Sequence, residues 1–97
     1  MIGLNSNAKL NNCSSAAGNE ISSILMWAQK AGKATGLVTT TRITHATPSA
    51  TYAHSANRDW EYDGEIPVDD RGTCIDIASQ LINSEPGKNI RVRFPIK

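Results

Sequence analysis

No stretch of this sequence approaches the roughly 20 consecutive apolar residues that a helix needs to cross a bilayer, so the chain reads as a soluble globular segment. It also lacks charge of one sign: ten Lys and Arg stand against nine Asp and Glu, for a formal net charge of +1. Bulk attraction to nucleic acid or to an anionic membrane surface is thereby excluded, and any recognition of phosphate must be local. The opening Met1-Ile2-Gly3-Leu4-Asn5 has no basic region followed by an apolar stretch, so no secretory signal is visible, nor is an anchoring tail. There is no internal repeat and no low-complexity segment. Cysteine is scarce. Cys13 and Cys74 are the only two, without the Cys-x-x-Cys spacing of zinc or redox motifs. Paired, they would close a long loop, a gain of roughly 4 kcal/mol in the chain-entropy model; two buried free thiols fit the sequence equally well. Asn12-Cys13-Ser14 is a glycosylation sequon, a short and common pattern that by itself carries little weight.

What is present suits one small domain of 97 residues, a size that buries only about two thirds of the surface of its unfolded chain. The first eighteen residues, rich in Asn, Ser, Ala and Gly, have no sustained period and read as loop or peripheral coil. Asn19 is placed to cap a helix with Ile21, Ile24, Leu25 and Ala28 on one apolar face, ended by Gly32. The β-branched run from Leu37 to Thr41 predicts a short strand. A second short helix, capped by Thr47 with Pro48 in its first turn, is expected to run to Ala53. The polar stretch from Arg58 to Pro67 reads as a surface connection. Asp69 or Asp70 then opens a third helix with a buried stripe of Cys74, Ala78 and Leu81 beside Ile75 and Ile82, and Ile90, Val92 and Phe94 alternate as a last strand. Helix, strand, short helix, long helix, strand is an α/β order. Two strands do not make a self-sufficient sheet, so the chain reads as a piece of a larger fold.

Several motifs fail on inspection. "AGKATG" around Lys33 has Trp27 where a phosphate-binding loop needs glycine and Ala34 where it needs Ser or Thr. "SSAAG" at Ser14 to Gly18 has no adjacent base to activate a serine. His45 and His54 lack the i, i+4 spacing that puts two metal ligands on one helical face. Trp27 and Trp60, taken alone, are packing residues. The sixteen residues "HATPSATYAHSANRDW", His45 to Trp60, nonetheless gather two histidines, four Ser or Thr hydroxyls and an arginine. They form either a hydrogen-bonding loop or a site converging on an anion or metal.

Extended upstream, that stretch reads "NEISSILMWAQKAGKATGLVTTTRITHATPSATYAHSANRDW" and closely resembles the animal alkaline phosphatases. The resemblance runs from about Ile2 to Val92, with a divergent tail over 93–97 where "RVRFPIK" replaces a glycine-rich continuation. It implies a single partial domain over 1–97, a segment of that family's α/β/α sandwich supplying one wall of the active site. The family hydrolyses phosphate monoesters through a phosphoserine, using two zinc ions and one magnesium. Arg58 corresponds to its phosphate-binding arginine, whose planar fork makes two parallel charge-assisted bonds to phosphate. Thr47 corresponds to a hydroxyl ligand of the magnesium, a role that competes with helix capping for the same oxygen. His45 matches a residue that orients water beside that metal. Cys13 and Cys74 fall where the animal enzymes place a disulfide.

The nucleophilic serine and the zinc ligands have no counterpart in this sequence, so the resemblance implies a truncated phosphatase with only part of the magnesium site, inactive as an isolated chain. Its ligands would be phosphate monoesters or inorganic phosphate, with no nucleic acid. The family is homodimeric and extracellular, often lipid-anchored at the cell surface. The alternatives are a non-catalytic fragment that binds a protein partner through exposed strand edges, and an autonomous phosphate-binding module.

Overall fold

A computed structural model describes residues 1–94; Pro95, Ile96 and Lys97, part of the tail expected to diverge, lie outside the described residues. In chain order it contains helix α1 (Ile24–Lys30), strand β1 (Gly36–Val38), the one-turn helix α2 (Ala46–Ser49), helix α3 (Ile77–Asn83) and strand β2 (Val92–Phe94). Short 3-10 turns lie at Cys13–Ala16, Asp63–Glu65, Val68–Asp70 and Gly87–Asn89. The two strands pair in parallel, Gly36 with Val92, Leu37 with Arg93 and Val38 with Phe94. Helices with a two-stranded parallel sheet are the α/β composition expected.

Helix α1 starts later than the sequence suggests. Its cap is Ser23, not Asn19: the Ser23 hydroxyl accepts from the Met26 amide (3.2 Å) and donates to the Thr51 carbonyl (2.6 Å). Asn19 instead donates its side-chain amide to the Ser15 carbonyl (2.7 Å), holding the coil before the helix. The end is as expected. Gly32, at φ +82°, lets its own amide reach Gln29 (3.0 Å) and the Lys33 amide reach Ala28 (3.0 Å), a paired closure that favours glycine. Of the expected apolar face, Leu25 packs against the core, but Ile24 is 73% exposed and Ile21 also faces solvent; Trp27, expected to pack, is exposed as well.

Helix α3 is displaced in the same direction. Asp76, not Asp69 or Asp70, caps it, its Oδ1 accepting from the Ser79 amide (2.6 Å). Asp69 and Asp70 close a separate 3-10 turn. The buried side is Ile77, Gln80 and Leu81, while Ile75 and Ile82 are exposed. Helical spacing counted from Ile77 gives this face; counting from Cys74 does not.

The N-terminal segment is loop as expected, apart from the 3-10 turn at Cys13–Ala16, but it is not peripheral. Ile2 exchanges two backbone hydrogen bonds with Ser55 (2.8 and 2.9 Å) and joins Ile43, Tyr52, Ala53, Ile77, Leu81 and Ile90 in the main core. Ala8 is also buried. An extended segment held by single bridges leaves no period in its sequence, which is why composition misplaces it. A second core joins Cys13, Ala56, Trp60 and Ile66, with Cys74 against it. There the two cysteines form a disulfide, with 5.8 Å between their Cα atoms across a separation of 61 residues. Among the described residues no helix is long and apolar enough to cross a membrane.

Candidate functional site

The polar stretch His45 to Trp60 is built as two linked turns around one helical turn. His45 is the N-cap of α2 through its backbone: its carbonyl accepts from the Ser49 amide (3.0 Å), and its side chain makes no capping bond. Thr47 is therefore the second helical residue and not the cap. Pro48 sits in the first turn, where its missing N–H costs nothing. The helix stops at Ser49, short of Ala53, as the next amides close over three residues instead of four, Thr51 to Pro48 (3.3 Å) and Tyr52 to Ser49 (3.0 Å). With capping left to His45, the exposed Thr47 hydroxyl makes no hydrogen bond among the described residues.

Beneath this turn, Tyr52 is fully buried and donates its phenol to the Ile43 carbonyl (2.8 Å). Burial pushes that phenol well above its ordinary pKa, so it stays protonated. His54 is held on three sides. Its amide donates to Gln80 Oε1 (2.8 Å), its carbonyl accepts from Gln80 Nε2 (3.0 Å), and its Nδ1 bonds the Gly3 carbonyl (2.8 Å).

Arg58 occupies a turn closed by the Trp60 amide on the Asn57 carbonyl (3.2 Å). The Asn57 side chain reinforces it, Oδ1 accepting from the Asp59 amide (2.8 Å) while Nδ2 donates to Asn11. Trp60 then turns inward, and the carbonyls of Trp60 and Glu61 accept the Ile77 and Ala78 amides (both 3.0 Å). Those are unpaired first-turn donors of α3. Arg58 thus projects to solvent from a turn fastened on both sides to the cores, and among the described residues it has no carboxylate partner within salt-bridge distance.

A cluster that sequence reading missed flanks this segment. Arg42 grips Glu61 with both ends of its fork, Nε to Oε1 at 3.0 Å and a terminal nitrogen to Oε2 at 3.1 Å, and the Thr44 hydroxyl donates to Oε1 at 2.7 Å. The Arg42 hydrogen bond holds the Glu61 carboxyl below its ordinary pKa against the opposing effect of partial burial, and Thr44 and the nearby His45 add to the lowering. Arg42, Thr44, Glu61, Tyr62, Glu65 and Ala78 line a cleft of about 400 Å³. A second hollow of about 260 Å³ lies along the disulfide, with His54 and Gln80 in its wall. Thr47 and Arg58 line neither.

The donor set does not make a metal centre by itself. Among the described residues no three of His, Cys, Asp and Glu converge on one point, and His54 Nδ1 is already committed to a carbonyl. Thr47 offers one hard oxygen, and with no converging ligand group among the described residues neither a complete magnesium site nor a zinc site is formed by them.

A two-stranded parallel sheet together with short helices is compatible with a partial α/β segment. The family model for alkaline phosphatase matches residues 1–94, and the chain belongs to the alkaline phosphatase family. It is 55% identical over 86 residues to the tissue-nonspecific alkaline phosphatase of Gallus gallus, covering 88% of this chain and 17% of that protein. Alkaline phosphatase 4 of Drosophila melanogaster is 57% identical over 72 residues, 74% of this chain and 12% of the relative. The human tissue-nonspecific isozyme is 50% identical over 84 residues, 86% and 16% respectively. The chain therefore spans about a sixth or less of the length of these relatives.

Proposed function

We propose that these residues are the phosphate-gripping and magnesium-facing segment of a phosphomonoester hydrolase, one wall of an active site set in an α/β/α sandwich. In this reading Arg58 binds the phosphate group as a two-pronged donor, Thr47 contributes a hydroxyl ligand to magnesium, and His45 orients water beside that ion. The observation that carries it is Arg58 itself, an exposed guanidinium without an ion-pair partner among the described residues, on a turn fastened by Asn57 and by the start of α3. Its charge is available to a ligand. The free Thr47 hydroxyl supports the metal-ligand role, since the competing role of helix cap falls to His45. The Cys13–Cys74 disulfide supports an extracellular or cell-surface setting.

Binding is not turnover. These 97 residues hold no Asp-Ser nucleophile motif, no zinc ligand set converges among the described residues, and catalytic groups that act as a unit retain little when their partners are missing. The isolated chain is accordingly inactive towards an aryl phosphate with zinc and magnesium supplied; turnover comparable to that of a complete enzyme would overturn this. Phosphate binding is tested by titrating inorganic phosphate into the wild type and Arg58→Ala while following backbone amide shifts. The reading expects shifts around residues 57–60 that vanish in the variant, and equal weak binding by both would remove it.

A second reading is favoured by the uncovered apolar surface. Ile24, Trp27, Val38 and Val92 are all exposed, and each strand of the two-stranded sheet has an open edge. A non-catalytic role, pairing with an alkaline phosphatase chain through that surface, predicts co-migration with such an enzyme or loss of the enzyme's dimer.

A further inference from the structure

Each of the four residues before Arg58 is bonded to the first eleven residues of the chain. His54 Nδ1 bonds the Gly3 carbonyl (2.8 Å), and Ser55 exchanges both of its backbone bonds with Ile2 (2.8 and 2.9 Å). The Ala56 carbonyl accepts from the Asn11 amide (3.1 Å), and the Asn57 side-chain amide donates to Asn11 Oδ1. Asn11 therefore holds the last two of the four. The orientation of both side-chain amides is forced. Asn57 Oδ1 is taken by the Asp59 amide (2.8 Å), so Nδ2 faces Asn11, where only an oxygen can meet it.

Among the described residues Asn11 is the one non-glycine with a left-handed backbone, at φ +62°. Glycine would take that conformation without strain, and asparagine only tolerates it. What asparagine adds is the side-chain oxygen. Two residues further on, Cys13 is buried with Ala56 and Trp60, which bracket residues 57–59. The segment carrying Asn11 is thus fixed to the same core on which the Arg58 turn stands.

We propose that Asn11 is a positioning residue for Arg58: its side-chain oxygen holds Asn57, so the turn that presents the guanidinium is ordered before an anion arrives. The inference rests on the phosphate-binding role proposed above for Arg58. A two-pronged grip on phosphate needs the planar fork at a set angle. A loose turn would have to be ordered at the moment of binding, and the entropy of the residues then fixed would be lost from the affinity. Bonds already made in the unliganded chain remove that cost. Asn11 acts through Asn57 and not on the ligand.

Asn11→Gly tests this, since glycine keeps the left-handed backbone and the amide bond to Ala56 while removing the oxygen. Amide relaxation of the full chain without phosphate should give order parameters of about 0.85 for residues 57–59 in the wild type and below about 0.6 in Asn11→Gly. Helix α3 and the urea midpoint should be unchanged. Asn11→Asp, whose carboxylate still accepts from Asn57 Nδ2, should restore the order. On titration with inorganic phosphate, Asn11→Gly should bind at least about fivefold more weakly than the wild type, the factor for ordering one backbone residue. Residues 57–59 that stay ordered in Asn11→Gly, stay loose in Asn11→Asp, or loosen with the affinity unchanged would overturn the proposal. So would order lost throughout the chain with a lower urea midpoint, the mark of a purely structural role. Phosphate shifts as large in Arg58→Ala as in the wild type would instead remove the phosphate reading, and this inference with it.

Discussion

Gln80 and His54 are bonded to each other in both directions, the His54 amide to Oε1 at 2.8 Å and Nε2 to the His54 carbonyl at 3.0 Å. Gln80 Nε2 also reaches the Ile75 carbonyl at 2.9 Å. One buried amide thereby ties α3 to the chain four residues before Arg58. Replacing Gln80 with leucine keeps the volume but leaves those backbone groups without partners. The expected loss is about 3 kcal/mol, at about 1–3 kcal/mol for each buried group left unsatisfied, read as a lower urea midpoint with an unchanged slope.

Reduction of the disulfide, or Cys74→Ala, removes a constraint on a 61-residue loop in the unfolded chain. The expected cost is about 4 kcal/mol, a large part of the stability of a domain this small. Thermal unfolding with and without reductant measures it. The wild type should lose its transition near room temperature on reduction, while Cys74→Ala should be insensitive to reductant.

The Arg42–Glu61 pair gives a pH signature. Because folding lowers the Glu61 pKa, its contribution is complete above the ordinary glutamate value of 4.5 and is lost as pH falls through the lower folded value. Arg42→Ala should therefore be less stable than the wild type at pH 7, with the two converging in acid once pH has fallen through the lowered folded value. Arg42 is largely exposed, so the difference is small and shrinks in high salt. Urea midpoints across pH 3–7 test both dependences, and a gap that widened in acid would contradict the assignment.

Two hydroxyl deletions should separate a cap from a free group. Ser23→Ala removes the α1 cap and should cost about 1 kcal/mol. Thr47→Ala, at a helical position that caps nothing, should stay within about 0.5 kcal/mol of the wild type. Chemical denaturation of both variants in parallel checks the contrast.

The sequence announced those features whose cause is local. Gly32 marks the end of α1 because the closing turn requires its left-handed backbone, and the β-branched run marks β1, though the paired strand is only Gly36–Val38. Periodicity failed where it presumed a cover. Ile21, Ile24, Ile75 and Ile82 look like core residues by spacing, yet among the described residues nothing buries them. It failed again for Ile2 and Ala8, buried within an aperiodic segment. Gln80 was overlooked because a polar residue on a buried face breaks the apolar pattern while completing the hydrogen bonding. Arg42 and Glu61 meet across 19 residues as single side chains, and such a contact leaves no repeating trace. The roles proposed for Arg58, Thr47 and His45 rest on family likeness; local pattern offers only a solvated charge, a cap and a loop histidine.

The two indoles occupy opposite environments, Trp60 sealed at 3% exposure and Trp27 open at 61%. Their fluorescence should consequently split into a short-wavelength component shielded from iodide and a long-wavelength component that iodide quenches freely. Anything that docks on α1 would blue-shift the second and leave the first unmoved, which makes the unlabelled chain an optical reporter of its own bare flank.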